Sequence, residues 1–392
     1  MQPIIDETSA VNNQHSPSLS SVDYLHLPSL PLYLVEEEIL SRLPVKLLSQ
    51  IRCVCKSWNS LISNPRFAKK HLGMSTTRRL YFLSNSVSFR KNIITSCPIQ
   101  CVYTTMSTNI TNLEYPRNNC HYSIVGSCNG ILCVAHETSS KSFIQLWNPS
   151  IRKVKKLPPF EESPYPPYGF IYGFGYDFVT DNYKVVVISF YSMPDDFTKK
   201  IEVKVNTLGT NFWKNLQEFP FNGKPDNIAS GIFVSGTINW LASKHWHHSP
   251  CFIVSLDLGK ESFQKILLPD YGEEDVSILY LSVLRDCLCM MYGHDVWIMK
   301  EFGNKESWTK LFSVSDMRDP SKSSYLTKTV YTFDDGQVLL QALVDRNSKL
   351  IVYDPRIDTF KFSKFQINNV YDPTSPDGPE VCIESLISPF SK

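Results

Sequence analysis

The amino-acid sequence predicts a multidomain protein in which a short all-α module precedes an all-β propeller of about six blades. Residues 26–72 carry apolar side chains at helical spacing, whereas the chain from about residue 78 onward consists of short β-rich runs separated by Gly, Pro, Asn and Asp. Within this second part, five stretches repeat one shape at intervals of roughly 40 to 60 residues, a period typical of radial β-repeats. We therefore divide the chain into a disordered tail (1–22), a helical module (26–72) and a propeller domain (78–392).

Composition narrows the possible functions. The 392 residues are 42% hydrophobic and 20% charged, which suffices for a sizeable core. The formal net charge is only +1, so we expect neither nucleic-acid binding nor attraction to an anionic membrane. Residues 1–20 lack the basic and apolar segments of a secretory signal, and the 11 cysteines are scattered and odd in number. We therefore expect a soluble protein of the cytoplasm, the nucleus or both.

Two apolar stripes predict the helical module. Leu32, Val35, Ile39 and Leu43 fall on one face of a helix, which Pro44 ends. A second stripe runs through Leu47, Leu48, Ile51, Val54, Cys55, Trp58, Leu61 and Ile62. Helices this short are marginal alone, and they carry more apolar surface than the module can bury within itself. On this pattern alone, the module could dock on another protein or pack against its own C-terminal domain.

The module also carries a series of short motifs between Leu30 and Leu72. They are Leu30-Pro31, Glu38-Ile39-Leu40, Arg42-Leu43-Pro44-Val45-Lys46, Arg52-Cys53-Val54-Cys55-Lys56, Trp58 and Pro65-Arg66-Phe67. This ungapped series resembles a plant F-box. Tyr33 is a small departure, because the family more often has an acidic or small polar residue at that position.

The resemblance implies a partner and a set of contacts. An F-box binds a Skp-type adaptor, which binds a cullin, and the cullin recruits a ubiquitin-conjugating enzyme through a RING subunit. Carried over by position, the adaptor-binding residues are Leu30, Pro31, Leu34, Ile39, Leu40, Leu43, Pro44, Val45, Leu48, Val54, Cys55 and Trp58. We expect Trp58 to be the main anchor, because buried Trp dominates such interfaces. For Leu48 and Val54 an alternative role is to hold the three helices together.

Five stretches of the second part each combine an apolar strand, an Asn or Asp at its end, a short turn and a second strand. They occupy residues 143–158, 201–220, 252–269, 295–312 and 350–365. A second hairpin precedes most of them, with tight-turn dipeptides at Asn129-Gly130 and Asp335-Gly336. Two hairpins make a four-stranded propeller blade. The apolar runs at 80–82 and 381–383 suggest that terminal strands close the ring, which would remove free sheet edges.

Several strings of the second part carry a further resemblance. They are SCNGILC, WNPSIRKVKKLP, GFGYD with NYKVV, and DVWIMKEFGNKESWTKLF. They resemble the F-box-associated interaction domain of the same plant family, which is related to kelch-type propellers, and the resemblance covers roughly residues 78–366. The chain departs from true kelch repeats because no paired-glycine signature recurs. The resemblance implies a propeller that selects a protein substrate.

The sequence shows no motif for catalysis, a cofactor or a metal. The most metal-like cluster is His245-x-His247-His248, but no Cys or carboxylate stands at a ligand spacing beside it. We interpret this cluster as part of a solvated or partner-contacting loop. Cys53-x-Cys55 and Cys287-x-Cys289 lack the C-x-x-C spacing, and we expect both pairs to be buried in apolar packing. We therefore expect a non-catalytic protein without a cofactor or metal.

The leading hypothesis is a substrate-receptor subunit of a Skp–cullin–F-box ubiquitin ligase, which binds a protein substrate that the sequence leaves unnamed. Candidate substrate-contacting segments are the aromatic and basic loops at 165–168, 191–200 and 244–248. Two alternatives stay open. In one, the propeller binds or hydrolyses a small molecule or glycan and the F-box is accessory. In the other, the chain is a scaffold that binds the adaptor without the cullin.

Overall fold

The computed structural model describes most of the chain from Pro31 to Phe390. The described ranges are 31–86, 91–103, 111–116, 121–137, 142–160, 167–192, 199–216, 219–221, 224–225, 230–244, 252–270, 279–314, 324–345, 347–363 and 378–390. The predicted tail (1–22) and the histidine cluster at 245–248 lie outside these ranges.

Residues 31–74, called the helical module below, form four α-helices with two irregular turns between the first and second. The α-helices are α1 (Leu32–Leu34), α2 (Val45–Ile51), α3 (Lys56–Ile62) and α4 (Pro65–Met74). A π-helical turn (Val35–Ile39) and a 3-10 turn (Leu40–Arg42) follow α1. Asn64 starts α4 by accepting a hydrogen bond from the Arg66 N–H, and Pro65 occupies the first helical position, where no N–H is needed.

The π-helical turn changes which apolar residues face inward. The sequence places Ile39 on one helix face with Val35 and Leu43, yet Ile39 is 42% exposed while Val35 and Leu43 are half-buried and Leu40 is buried. A π-helical turn contains an additional residue, so each later side chain is rotated by about 100° around the axis. The simple helical spacing was therefore wrong for Ile39.

The second predicted stripe is also interrupted. Helix α2 ends at Ile51, residues 52–54 form a turn, and Cys55 has an extended backbone (φ −152°, ψ 161°) before α3 begins. The Arg52 guanidinium stabilises the turn by donating to Asn59 Oδ1 (3.1 Å) and Ser63 Oγ (2.8 Å). The break places Val54 and Cys55 on the surface and not on a helical face.

Twenty-five strands follow within the described ranges. The first eleven are β1 (Arg78–Ser86), β2 (Lys91–Pro98), β3 (Thr111–Pro116), β4 (His121–Cys128), β5 (Ile131–Glu137), β6 (Ser142–Asn148), β7 (Lys153–Lys156), β8 (Gly169–Asp177), β9 (Asn182–Ser192), β10 (Lys199–Thr207) and β11 (Lys214–Asn215). The next five are β12 (Lys224–Pro225), β13 (Ile232–Val234), β14 (Thr237–Ser243), β15 (Phe252–Asp257) and β16 (Ser262–Leu267). The last nine are β17 (Leu279–Leu284), β18 (Cys287–Tyr292), β19 (Asp295–Met299), β20 (Trp308–Ser313), β21 (Ser324–Thr332), β22 (Val338–Val344), β23 (Asn347–Asp354), β24 (Thr359–Phe362) and β25 (Glu380–Ile383). Short 3-10 turns lie at Ile99–Tyr103 and Lys305–Ser307.

These strands form six antiparallel sheets, which confirms the predicted propeller and its blade number for the described part of the chain. Blade 1 contains β25, β1, β2 and β3, in that order. Blades 2, 3, 5 and 6 are the meanders β4–β7, β8–β11, β17–β20 and β21–β24, and blade 4 is built from β12–β16. The C-terminal β25 closes the ring by pairing with β1, with Leu80 opposite Val381. The predicted closure by terminal strands is therefore confirmed.

The meander pattern gives the propeller two faces with different connections. The first strands of neighbouring blades contact one another around the axis, for example β4 with β8 and β17 with β21. Because the strands within a blade are antiparallel, the turns after its first and third strands lie on the same face, which we call the near face. Examples are the turns at 129–130 and 178–181. The connections between hairpins and between blades lie on the opposite face, which we call the far face.

One turn recurs four times on the near face and explains the Asn or Asp that the sequence repeats. The residues Asn148, Asp177, Asp257 and Asp354 each end a strand, and each accepts a hydrogen bond from a backbone N–H two or three residues later. The fourth residue after each of them has a positive φ, namely Arg152 (56°), Asp181 (54°), Glu261 (51°) and Asp358 (47°). The side chain thus fixes a four-residue hairpin loop without requiring glycine.

A buried ion network joins blades 3 and 4. Lys184 Nζ lies 3.1 Å from Asp177 Oδ2 and 2.8 Å from Glu261 Oε1, and it also donates to the Leu258 carbonyl at 2.6 Å. Burial alone would raise the pKa of Asp177, but hydrogen bonds from Thr180 and Lys184 outweigh it, so the pKa of this carboxyl lies below its usual value. The positive charge of Lys184 therefore compensates the negative charges of Asp177 and Glu261 inside the fold.

We predict that Lys184→Met strongly destabilises the propeller. The substitution keeps most of the side-chain volume but leaves the buried Asp177 carboxylate without its cation, which costs about 3–5 kcal/mol. Chemical denaturation of the full chain measures this loss. Lys260→Met is the matched control, because Lys260 pairs with Asp257 across 3.7 Å at the surface and such pairs contribute about 0–1 kcal/mol. Equal stability of the two variants would contradict the prediction.

Candidate functional site

The helical module presents an apolar surface to solvent. Among the residues that the sequence assigns to adaptor binding, five are exposed: Pro31, Ile39, Pro44, Val54 and Cys55. Val54 is the most exposed of the large apolar side chains on the module, at 68%. Exposed apolar residues concentrated on one small module indicate an interaction surface.

Three of the assigned residues are buried in this unbound chain. Leu40, Val45 and Leu48 belong to a core cluster that the helical module shares with the propeller, together with residues such as Val125 and Ile131. They therefore stabilise the module and its attachment here, which agrees with the structural role considered for Leu48. Val54, for which the same role was considered, lies at the surface instead. Leu34, Leu43 and Trp58 are partly buried, and Leu30 lies outside the described residues.

The sequence assignment omits three exposed apolar residues of the same module. Tyr33 is 63% exposed, Met74 is 44% exposed and Leu47 is 40% exposed. In the sequence, Tyr33 is only a departure from the family pattern, Leu47 is a member of the second apolar stripe, and Met74 lies beyond the predicted module (26–72). One signal could have identified Tyr33 as exposed: it is a large apolar residue at a position where the family more often has an acidic or small polar one.

Cys55 has a distinct chemical environment at the start of α3. Its Sγ lies 3.1 Å from Ser57 Oγ. Hydrogen bonds from the Ser57 side chain and from the Trp58 backbone lower the pKa of the Cys55 thiol. Both Cys53 and Cys55 are exposed, so the expectation that this pair is buried was wrong, because the turn at 52–54 replaces the predicted helix. In the other pair, Cys289 is buried in the core of blades 5 and 6, as predicted, whereas Cys287 is only partly buried and packs against that core.

The helical module is attached to the near face of the propeller by polar and apolar contacts. Lys69 of α4 forms an ion pair with Asp181, in the turn between β8 and β9. His71 is buried, with Nε2 2.9 Å from the Leu43 carbonyl, and Phe67 and Ala68 lie in the shared core. The module therefore packs against its own C-terminal domain, which is one of the two possibilities left open by the sequence, and it still keeps apolar side chains exposed.

The structure brings the ends of the predicted substrate-contacting loops to the far face, away from the helical module. Tyr168, which directly precedes β8, is 48% exposed, and its N–H donates to the Phe190 carbonyl near the end of β9 (2.9 Å). Lys244 directly follows β14 in the adjoining blade and is exposed. The described ends of all three loops therefore lie on blades 3 and 4 at the same face, although residues 165–166, 193–198 and 245–248 are outside the described ranges.

No group of three or more His, Cys, Asp or Glu side chains in the described ranges is arranged to hold a metal ion. Within the same part of the chain, no helix has the length and apolar character that crossing a bilayer requires.

Each of the two parts of the chain matches a family model. Residues 25–70 match the model of the F-box domain, and residues 74–389 match that of the F-box associated beta propeller domain. The first match spans α1–α3 and the start of α4. The second begins at the end of α4 and includes the ring-closing strand β25.

Two similar proteins from Arabidopsis thaliana are themselves named as F-box proteins. The F-box/kelch-repeat protein At3g23880 is 33% identical over 303 residues, which cover 74% of this chain and 81% of that protein. The F-box protein CPR1 is 28% identical over 391 residues, covering 92% of this chain and 89% of that protein. Among solved structures, TolB from Acinetobacter baumannii matches with a TM-score of 0.44 and 11% identity, over 73% of this chain and 63% of that one. A likeness that distant says nothing about function.

We predict that Cys55 reacts with iodoacetamide faster than ordinary exposed thiols near neutral pH. Its lowered pKa increases the thiolate fraction, and the thiolate is the nucleophile. Mass spectrometry of the native chain should show Cys55 labelled early, while Cys133 stays unlabelled because burial raises its pKa and blocks access.

Ser57→Ala tests the cause. It removes the principal hydrogen bond and should slow Cys55 alkylation several-fold, while labelling of the neighbouring exposed Cys53 provides the internal control. If the Cys55 rate is the same with and without the Ser57 hydroxyl, the hydrogen bond does not activate the thiol.

Proposed function

We propose that this chain, which belongs to the F-box proteins that carry an F-box-associated β-propeller domain, is a substrate-receptor subunit of a Skp–cullin–F-box ubiquitin ligase. The two family matches together cover nearly all of the described chain and support this role. The observation that carries the proposal is the apolar surface that remains exposed on the F-box after it has packed against the propeller. An apolar surface of this kind suits docking on the helices of a Skp-type adaptor.

In this proposal the chain performs no bond-making step itself. The F-box holds the adaptor, and the adaptor connects to the cullin and its RING subunit, which bring the ubiquitin-conjugating enzyme. The propeller holds the substrate within reach of that enzyme. The rate enhancement then comes from effective concentration, because two bound partners no longer have to meet by diffusion.

The far face of the propeller is the proposed substrate surface. The F-box occupies part of the near face, where Lys69 contacts Asp181, and the near-face turns of blades 2 and 3 are short. The far face carries the connections between blades and the aromatic and basic residues Tyr168 and Lys244. A substrate bound there would leave the adaptor-binding surface of the F-box free.

We further place the protein in the cytoplasm, the nucleus or both. The cysteines that the structure describes all carry free thiols, which suits a reducing compartment.

We predict that Val54→Asp weakens adaptor binding by about 10- to 100-fold. Val54 is 68% exposed, so the substitution should not disturb folding, but in a complex it would place a carboxylate without a partner against an apolar surface. Titration of the purified full chain with a purified Skp-type adaptor, by calorimetry or interferometry, measures the change.

Ile357→Asp is the matched control. Ile357 is 67% exposed and lies in the near-face turn between β23 and β24, outside the F-box, and the same type of change is made. It should bind the adaptor with wild-type affinity. The proposal is wrong if the wild-type chain does not bind the adaptor, or if Val54→Asp and Ile357→Asp behave alike.

Purification of the same variants from cells separates a ligase receptor from a scaffold. The wild-type chain should bring down the adaptor together with the cullin, and Val54→Asp should lose both. Recovery of the adaptor without any cullin would instead favour the scaffold function. The candidate substrates are proteins that co-purify with both the wild-type chain and Val54→Asp, and whose amount in the cell rises with Val54→Asp.

A further inference from the structure

Residues 384–388, which we call the strap, leave the ring-closing strand β25 and run between the propeller and the helical module. At the start of the strap, the Glu384 N–H donates to the Thr77 carbonyl and the Ser75 hydroxyl donates to the Glu384 carbonyl, both at 2.8 Å. Ser75 and Thr77 belong to the connection between α4 and β1. The strap is thus hydrogen-bonded to the only covalent link between the two domains.

The strap continues along blade 2 into the shared core. Ser385 is fully buried, and its hydroxyl donates to the Asn129 carbonyl at 2.8 Å. Gly130, with a φ of +85°, has no room for a side chain, because a Cβ there would overlap Ser385 Oγ. Leu386 and Ile387 are buried and line a small cavity together with Ala68 and Lys69 of α4. The strap therefore contacts both the propeller and the helical module.

Asn148 contacts the strap at more than one point. Its Nδ2 lies within donating distance of the Ser385 carbonyl (3.0 Å), Ser385 Oγ (3.1 Å) and the Ile387 carbonyl (2.7 Å). Its Oδ1 fixes its own turn by accepting from the Ser150 N–H at 2.9 Å. Asn148 is completely buried, so these hydrogen bonds have no competition from water.

The repeat shows that the strap contacts are not needed for the turn itself. At the corresponding strand end in blades 4 and 6 the residue is an aspartate, Asp257 or Asp354, which makes the same turn contact through an oxygen. In blade 3 the residue is Asn206, whose Nδ2 donates to Phe212 in its own turn at 2.8 Å. Only in blade 2, among these described positions, does the amide nitrogen reach another segment.

We propose that the strap, held by the Asn148 amide, fixes the orientation of the F-box relative to the propeller. Asn148 is then a positioning residue: it contacts neither adaptor nor substrate, but it determines where the adaptor-binding surface points. The biological meaning of this orientation depends on the proposed function, because it would set the distance between a propeller-bound substrate and the conjugating enzyme. The mechanical role of the strap does not depend on it.

Asn148→Asp in the full chain tests the proposal. An aspartate keeps the oxygen that fixes the turn, as Asp257 and Asp354 do, but it removes the donors and sets a carboxylate against two carbonyl oxygens. Native-state hydrogen exchange should rise about tenfold or more in the strap and in α4. Affinity for the purified adaptor should stay at the wild-type value, because the adaptor-binding surface of the F-box is unchanged.

Asn206→Asp is the matched control, since it makes the same chemical change at the corresponding position of blade 3. It should alter exchange near 207–213 and leave α4 at the wild-type rate. The proposal is overturned if α4 keeps its wild-type exchange in Asn148→Asp, or if both variants accelerate α4 equally.

If Asn148→Asp does not fold, Ser385→Ala supplies the milder test with the same expected and contradicting results. Adaptor binding by the wild-type chain is measured in parallel, and its absence would count against the proposed function while leaving the exchange result valid for the strap.

Discussion

Closure of the ring by β25 is the constraint on which the rest of the structure depends. A propeller is a ring of separate sheets, and here one of them combines strands from the two ends of the propeller domain, which links the start of the ring to its end. Here the end strands are β1 and β25, and their pairing places Leu80 opposite Val381. A cluster of polar side chains surrounds the same point: Lys328 Nζ lies 2.5 Å from Glu380 Oε2, and the Ser127 hydroxyl donates to the Val381 carbonyl at 2.8 Å. Strands from blades 2 and 6 thus secure the strand that completes blade 1.

The F-box is located beside this closure because of chain connectivity. Helix α4 leads through residues 75–77 into β1, while the strap leaves β25 in the same place. The two ends of the ring are therefore also the two attachments of the helical module. The module occupies part of the near face, which agrees with the proposal of a substrate surface on the far face.

Sequence periodicity predicted the propeller well and the details of the F-box less well, for physical reasons. The blades repeat the same order of strands and turns and, in most cases, the same Asn or Asp at a strand end. A strand that is ambiguous in one blade can therefore be assigned by comparison with the others. Ile39 had no such support, because a π-helical turn has no apolar period of its own and is stabilised by tertiary packing. The exposure of Val54 and Cys55 depends on the break after α2, where Arg52 bonds to Asn59 and Ser63. The role of Asn148 depends on a segment more than 200 residues away, which no local pattern contains.

Closure by the last strand also has a consequence for biosynthesis. Strand β1 leaves the ribosome early, yet its partner β25 lies roughly 300 residues later, which at ordinary elongation rates corresponds to on the order of 15–60 s. During that interval the edge of β1 can pair with other nascent chains, and Phe67 and Ala68 of α4 lack Leu386 and Ile387 of the strap, which belong to the same core cluster in the finished fold. Blades 2 to 6 can meanwhile form from strands close in sequence. The nascent chain therefore exposes an unpaired edge of β1 and an incompletely covered face of α4 until β25 and the strap are made.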